Sequence, residues 1–170
     1  MKIEDILGNT SLVANSLFGS GGSVDVHEAL TGCRDVLRSQ VLQEFHTESD
    51  PFGEPWEPWY WTSDYPPEEH PTLRHTGLLY GSFVSDGAGH VEEITNNELV
   101  FGSSVTYAMK HQEGASEVLA INLFGRHGGM LKAGSQIEIP ARPIVGWPDE
   151  TIVQCGDLIR DEITEQWYAL

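Results

Sequence analysis

Prolines and aromatic residues crowd one segment of this 170-residue chain, and they limit what that segment can become. Residues 51–71 hold six of the nine prolines and also six aromatic residues: Phe52, Trp56, Trp59, Tyr60, Trp61 and Tyr65. Neither a helix nor a central strand tolerates proline at this density, because proline lacks a backbone N–H and fixes its own φ angle. We therefore expect an extended loop here.

The rings of this loop need a place to pack, since exposing all of them would create an aggregation-prone patch. Two interpretations stay open. The loop folds onto the core of its own domain, or it contacts a neighbouring subunit, where Trp and Tyr are enriched. We therefore treat Trp56, Trp59 and Trp61 as candidate interface residues.

Residues 26–45, before the loop, place their apolar side chains on one face at helical spacing. This pattern predicts a long amphipathic helix with Asp25 as its N-cap. Gly32 costs about 1 kcal/mol relative to alanine, so it needs a close packing neighbour if the helix is to form as predicted. Residues 1–24 end in a Gly/Ser run that behaves as flexible coil, so we expect an N-terminal arm and a domain over 25–170.

Short runs at 78–85, 91–95 and 98–101 are rich in Val, Ile, Phe and Thr, which predicts strands, with a tight hairpin at Asn96 and Asn97. Residues 105–112 fit one or two helical turns, and the glycines within 115–136 indicate a long hairpin. A final helix starts after Pro148, with Asp149 as its cap, and its predicted buried residues are Ile152, Cys155, Ile159 and Ile163. This order predicts an α+β fold in which a long N-terminal helix and a C-terminal helix pack on an antiparallel sheet.

The composition argues against several functional classes. A formal net charge of −17 repels the phosphates that nucleic-acid-binding proteins must neutralise, and no apolar run approaches the roughly 20 residues of a membrane span. The N-terminus lacks the apolar stretch of a secretory signal, so we expect synthesis and assembly in a cytoplasm. Cys33 and Cys155 have no CxxC partner, and we expect them to be buried thiols.

Motifs that carry chemistry are missing from the sequence. The seven histidines form no HExxH pattern, and neither a GxSxG elbow nor a P-loop is present. We therefore expect no enzymatic activity, no catalytic residue, no metal and no cofactor.

Four segments occur in an informative order: residues 52–59 (FGEPWEPW), 73–83 (LRHTGLLYGSF), 107–114 (YAMKHQEG) and 139–146 (IPARPIVG). Together they resemble the phage virion morphogenesis family, the tail-completion proteins of contractile-tailed phages. The resemblance covers roughly residues 26–166. Each motif is weak alone, and four in order make a specific match. The N-terminal arm and the long hairpin over 115–136 depart from the family pattern.

The resemblance implies a structural virion protein of α+β fold that acts in tail completion and head–tail joining. Such a subunit is expected to form a homo-oligomeric ring, most simply a hexamer, at the neck or top of the tail. Its implied partners are further copies of itself, the connector or neck, and tail tube or sheath proteins, while DNA passes through without specific binding. An acidic protein that mimics DNA to occupy a host nucleic-acid-binding protein is the alternative that also explains the charge.

Three further interface candidates lie in the matched motifs. Arg142 stands between two prolines, so its guanidinium either clamps a carboxylate of its own chain, such as one on the acidic last helix, or pairs with a neighbouring subunit. Tyr107 and His111 lie four residues apart on a short helical turn, where local packing competes with an interface role. If the ring surrounds the DNA path, carboxylates of the last helix or of the 115–136 hairpin would line a negative bore.

Overall fold

The computed structural model describes residues 25–57, 71–118, 120, 123–124 and 130–168. Within these ranges the chain is an α+β protein, as predicted. The predicted arm over 1–24 and the loop residues Trp59 and Trp61 lie outside the described residues. No described helix is long and apolar enough to cross a membrane.

Helix α1 spans His27–Thr47 and confirms the predicted N-terminal helix. The carboxylate of Asp25 accepts a hydrogen bond from the backbone N–H of His27 at 3.0 Å, one residue outside the cap position that Val26 occupies. Gly32 has the close neighbour that its cost requires, because a Cβ there would lie 3.0 Å from Cδ1 of Leu158. The helix ends at Glu48, whose φ of 53° places it in the left-handed region.

Helix α4, which is defined here as Asp149–Tyr168, packs along α1. Cys33 and Cys155 meet in this contact as buried thiols, as predicted. Ile152, predicted to be buried, is 37% exposed, and Thr151 takes the inward position instead. The inward positions Thr151, Cys155 and Ile159 repeat every four residues, and Thr151 can be buried because its hydroxyl donates to the side-chain oxygen of Gln40.

The first predicted strand is wrong, because residues Leu78–Val84 form helix α2. Gly77 precedes it with a φ of 72°, and the Thr76 hydroxyl accepts a hydrogen bond from the N–H of Leu78 at 3.3 Å. Leu79 and Phe83, four residues apart, are both buried, so packing of one helical face decides the structure of this run of strand-forming residues.

Strands β1 (His90–Ile94) and β2 (Leu99–Ser103) pair antiparallel and form the predicted hairpin around Asn96 and Asn97. Helix α3, Ala108–Glu113, supplies the predicted short turns. Four more strands follow in the order β3 (Ala115–Val118), β4 (Leu123–Phe124), β5 (Met130–Leu131) and β6 (Gln136–Ile139).

The hairpin predicted over 115–136 extends three residues further, because β3 pairs with β6, which ends at Ile139. Strand β3 pairs with β6 and β4 pairs with β5, both antiparallel. The glycine-rich segment between β4 and β5 lies outside the described residues. The described strands therefore form three two-stranded ladders, where the sequence predicted one sheet.

Two apolar clusters hold the described elements together. The first lies between α1 and α4 and includes Leu99 from β2. The second gathers the C-terminal end of α1, helix α2, Trp56, Ala108 and Ile144. In this second cluster, segments that precede and follow α3 pack against the C-terminal end of α1. The motif segments found in the sequence therefore lie close together here.

Candidate functional site

Three of the four motif segments meet at one place, which we call the motif junction: residues 56–57, 107–114 and 139–145. Trp56 and Ile144 belong to the same apolar cluster, and the Arg142 side chain is fully buried. Arg142 also donates its backbone N–H to the carbonyl of His111 at 2.5 Å. Segments more than 80 residues apart are thus joined by direct contacts.

Gln112 is the hydrogen-bonding centre of the junction. Its side-chain oxygen accepts from the N–H groups of Ile144 at 2.9 Å and Val145 at 3.1 Å. Its amide nitrogen donates to the carbonyl of Val145 at 2.8 Å. One side chain therefore satisfies three backbone groups of a segment that has no strand or helix partner of its own, as buried polar groups require.

Trp56 packs into the chain's own core. It is 5% exposed, its ring lies edge-on to Phe45 with centroids 5.5 Å apart, and its indole N–H donates to the carbonyl of Pro143 at 2.9 Å. These contacts agree with the interpretation in which the loop folds onto its own domain. They place Trp56 within its own domain, and a contact of Trp56 with a neighbouring subunit stays a prediction.

Arg142 is likewise internal. The side chain is fully buried, and its Nε donates to the backbone carbonyl of Glu57 at 2.7 Å. Burial lowers the pKa of its guanidinium, an effect that the nearby Glu57 carboxylate opposes. The contact to the backbone at Glu57 fixes the end of the 51–57 loop beside the 139–145 segment. Arg142 thus joins two segments of its own chain through the loop, and a pair with a neighbouring subunit stays a prediction.

Tyr107 and His111 form the expected local pair, with ring centroids 5.9 Å apart in an edge-on arrangement. His111 is 8% exposed, and burial, followed by the positive charge of Arg142, lowers the pKa of its imidazole. The ring is therefore neutral at neutral pH and serves as a packed polar group of the junction.

Gly114 closes the turn after α3 in a way that only glycine allows. Its φ is 76°, and a Cβ added there would lie 3.0 Å from the backbone nitrogen of Ala141 and 3.0 Å from the carbonyl oxygen of Ile139. The close approach of two backbone segments therefore explains the glycine at the end of the third motif.

The remaining motif segment, residues 73–83, joins the same apolar cluster from the side of α2. The Tyr80 ring lies edge-on to Phe45 with centroids 5.2 Å apart, and the guanidinium of Arg74 stacks over Tyr80 at 4.5 Å. Residues of all four motifs thus pack in the core or hold backbone segments together. Their shared result is a rigid junction that positions α1, α2 and α3 relative to one another.

A second polar site lies between α1 and α4, and sequence reasoning missed it. A groove of about 690 Å³ runs between α1, the 49–53 loop and the first turns of α4. Its lining includes the carboxyl groups of Asp35, Glu44, Asp50 and Glu150. We call this feature the α1–α4 groove.

Glu44 is the exceptional residue of this groove, because it is 4% exposed. Its Oε1 accepts from the amide of Gln40 at 2.8 Å, while its Oε2 has no hydrogen-bond partner among the described residues. Burial raises the pKa of the Glu44 carboxyl to about 8, against the hydrogen bond from Gln40 and with help from the charge of Asp50. The available signal was its position three residues after Val41 and seven after Leu37, on the buried stripe of α1.

A charged network lies on the other side of α1, and there Nε of Arg38 is the buried atom without a hydrogen-bond partner among the described residues. Arg38 donates to Asp86 at 2.7 Å and to Glu92 at 2.9 Å, and Arg34 donates to the second oxygen of Glu92 at 3.2 Å. Nδ1 of His90 lies 2.8 Å from the carbonyl of Ser82. The network ties α1 to β1 and the turn before it. The described ranges contain no group of three His, Cys, Asp or Glu side chains placed to hold a metal ion.

Comparison with known proteins gives one match. The model of the phage virion morphogenesis family matches residues 24–164, which is most of the chain. Neither the curated proteins nor the solved structures contain a match. The matched range includes all four motif segments, helix α1 and helix α4 as far as residue 164.

Proposed function

The chain belongs to the phage virion morphogenesis family, and from this premise we propose that it is a structural subunit that completes the phage tail and joins it to the head. In this role it forms a ring, most simply a hexamer, at the neck and contacts the connector and the tail tube or sheath. The family match carries the proposal. The virion is its location, and the host cytoplasm is where it assembles.

The contacts of the motif junction support a scaffold role. In the described chain, residues of the matched motifs form hydrogen bonds to backbone groups, as Gln112 does, or pack in the core, as Trp56 does. A subunit that must hold one shape within a ring needs such a junction and needs no reacting group. We therefore propose that the protein acts by assembly and carries out no catalysis.

The outer face of α4 supplies a surface for contacts between copies. Val153 is 59% exposed and Tyr168 83% exposed, and they project within about 60° of each other around the helix axis at 100° per residue. These exposed side chains are available for contacts between copies at two points about 22 Å apart along the helix axis. Asp157 and Asp161 are exposed on the same face, within about 80° of Val153, so this face is either the contact between copies or, in a ring that turns it towards the centre, a negative bore.

A negative bore would let DNA slide without sticking, because carboxylates repel phosphates over about 8 Å at physiological ionic strength. This deduction depends on where α4 lies in the ring. A structure of the assembled ring with Asp157 and Asp161 on the outer rim would overturn it.

The direct test of the role is to disrupt the gene in its phage and examine the products by negative-stain electron microscopy. We expect complete heads and complete tails that are not joined, and rescue when the wild-type gene is supplied in trans. Joined, infectious particles from the disrupted phage would contradict the proposal.

The purified protein tests ring formation. Light scattering should give a mass several times 18.8 kDa, and microscopy should show annular particles. Val153→Asp should reduce the mass to that of a monomer while thermal unfolding stays within about 0.5 kcal/mol of wild type, since an exposed site tolerates the change. Glu28→Asp, on the exposed face of α1, is the control. A strict monomer that captures a basic host protein would favour the DNA-mimic alternative instead.

A further inference from the structure

The α1–α4 groove contains an acceptor that the fold itself does not use. Oε2 of Glu44 has no hydrogen-bond partner among the described residues, although the residue is only 4% exposed. Buried carboxyl oxygens are nearly always paired, because leaving one unpaired costs about 1–3 kcal/mol. Glu44 lines the groove, so its unpaired oxygen, which is itself covered by its neighbours, points to a ligand that displaces part of the groove wall.

The other carboxylates of the groove are already engaged. Asp35 pairs with Arg34, Asp50 accepts the backbone N–H groups of Phe52 and Glu54, and Glu150 accepts from Gln154. They fix the sign of the local charge without competing with Glu44 for a partner. No lysine or arginine is among the described residues that line the groove.

The charge and the volume together select the ligand. Four carboxyl groups in a chain of net charge −17 favour a cation. The described residues contain no cluster of side chains that could hold a metal ion. A guanidinium is planar and needs only hydrogen-bond acceptors that face its N–H groups. A volume of 690 Å³ lies within the range of about 300–1,000 Å³ for ligand sites and exceeds a single side chain, so a piece of backbone enters as well.

We propose that the α1–α4 groove binds an arginine side chain carried on an extended segment of a partner protein, and that Glu44 accepts the hydrogen bonds of its guanidinium. This inference does not depend on the proposed place in the virion, because the binding is a property of the isolated chain. The partner is recognised by a positive charge, which complements this strongly acidic protein.

Binding is coupled to a proton. Asp35 on α1, Asp50 in the following loop and Glu150 on α4 line the groove with Glu44, and Glu48 directly follows α1; these charged groups are acidic. With a pKa of about 8, the Glu44 carboxyl holds its proton at neutral pH. An entering guanidinium favours the carboxylate, so the proton leaves to the solvent as the ion pair forms.

The test is an NMR titration of the full-length protein with the peptide acetyl-Gly-Arg-Gly-amide. We expect saturable shifts in the backbone amide signals of Ser39, Gln43 and Thr151, which line the groove. The same peptide with citrulline, which has the same shape and no charge, should bind at least tenfold more weakly. Affinity for the arginine peptide should rise about tenfold per pH unit between pH 6 and 7.5 and level off above pH 8.

Glu44→Gln keeps an acceptor oxygen and removes the ionisable group. It should bind the arginine peptide at least tenfold more weakly at pH 8 and abolish the rise with pH. Glu28→Gln makes the same substitution at an exposed position of α1 and should bind like wild type. Both variants are checked for folding by thermal unfolding.

Four results would overturn the proposal: shifts absent from the groove, equal binding of the citrulline peptide, equal effects of the two variants, or affinity independent of pH. Ring formation is measured by mass and microscopy, so failure of the titration and failure of the proposed function give separate results. Tighter binding after Lys2→Gln would show that the chain's own N-terminal lysine competes for the groove, and would also overturn the assignment to a partner.

Discussion

The motif junction and the α1–α4 groove each contain a polar side chain from a helix, half-buried Gln112 and buried Glu44, but they differ in how its polar atoms are bonded. At the junction, Gln112 has three backbone partners and both of its side-chain polar atoms are used. In the groove, Glu44 uses one oxygen and leaves the other without a partner among the described residues. The motif-bearing site is thus complete within the chain, while the site without a motif is the one with chemistry to offer a ligand.

This difference predicts that the junction residues stabilise the fold, while Glu44 serves to bind a ligand. Residues of the junction should lower the free energy of unfolding when they are changed. Glu44 should do the opposite at neutral pH, because its burial opposes folding. Four substitutions test the contrast, in order of the size of their expected effects.

Trp56→Ala should lower the free energy of unfolding by about 4 kcal/mol, since it removes a large buried ring and leaves the Pro143 carbonyl without its donor. Urea unfolding followed by circular dichroism measures the change. Phe52→Ala, in the same loop but with its ring 66% exposed, should cost less than about 0.5 kcal/mol. A Trp56→Ala variant that is as stable as wild type but fails to assemble would contradict this prediction and would support a role for Trp56 in contacts between subunits.

Glu44→Gln should raise the free energy of unfolding by about 3 kcal/mol at pH 7. In the folded chain the pKa is about 8 against an ordinary 4.5, so the folded state binds the proton more tightly than the unfolded state. Wild-type stability therefore decreases as pH rises from about 4.5 to 8, and the variant lacks this decrease. Urea unfolding at pH 4, 7 and 8 measures it.

The expected difference between Glu44→Gln and wild type is close to zero at pH 4, where the carboxyl is protonated in both states. Glu28→Gln, at an exposed site, should follow the wild-type pH dependence throughout. Stability curves of Glu44→Gln and wild type that run parallel from pH 4 to 8 would show that the buried carboxyl carries no such cost.

Gln112→Met should lower the free energy of unfolding by about 2 kcal/mol, because a side chain of similar length leaves the N–H groups of Ile144 and Val145 without acceptors. Hydrogen exchange at these two amides should accelerate along with the loss of stability in urea. Gln136→Met, at an exposed position of β6, is the matched control and should change stability little. Unchanged exchange at both amides would mean that another group replaces Gln112.

The sequence anticipated the elements whose signals are local. The periodicity of α1, the two asparagines of the β1–β2 hairpin and the proline before α4 each act within a few residues, and the structure follows them. Helix α2 was missed because its residues favour strands, and only burial of Leu79 and Phe83 against distant partners makes the helix favourable. The division into three ladders also depends on tertiary contacts.

The site was harder to predict for the same reason. Arg142 could be placed between two prolines, but its partner, the backbone carbonyl of Glu57, lies 85 residues away and is a group that every residue carries. Trp56 stood as an interface candidate because aromatic composition is the same at a core and at a contact between subunits. Glu44 was overlooked because one acidic residue among 26 attracts no notice until its burial is known.

Gly32→Ala is the smallest effect and the finest test of the contrast. Alanine gains about 1 kcal/mol of helix propensity, while its Cβ would lie 3.0 Å from the Leu158 side-chain tip, which can rotate away at some cost in packing. The two effects nearly cancel, so urea unfolding should change by less than about 0.5 kcal/mol. Gly114→Ala meets backbone atoms that cannot move and has a φ of 76°, so it should cost about 2 kcal/mol. Equal costs for the two glycines would mean that the α1–α4 contact is as rigid as the motif junction, leaving the groove less freedom to admit a ligand.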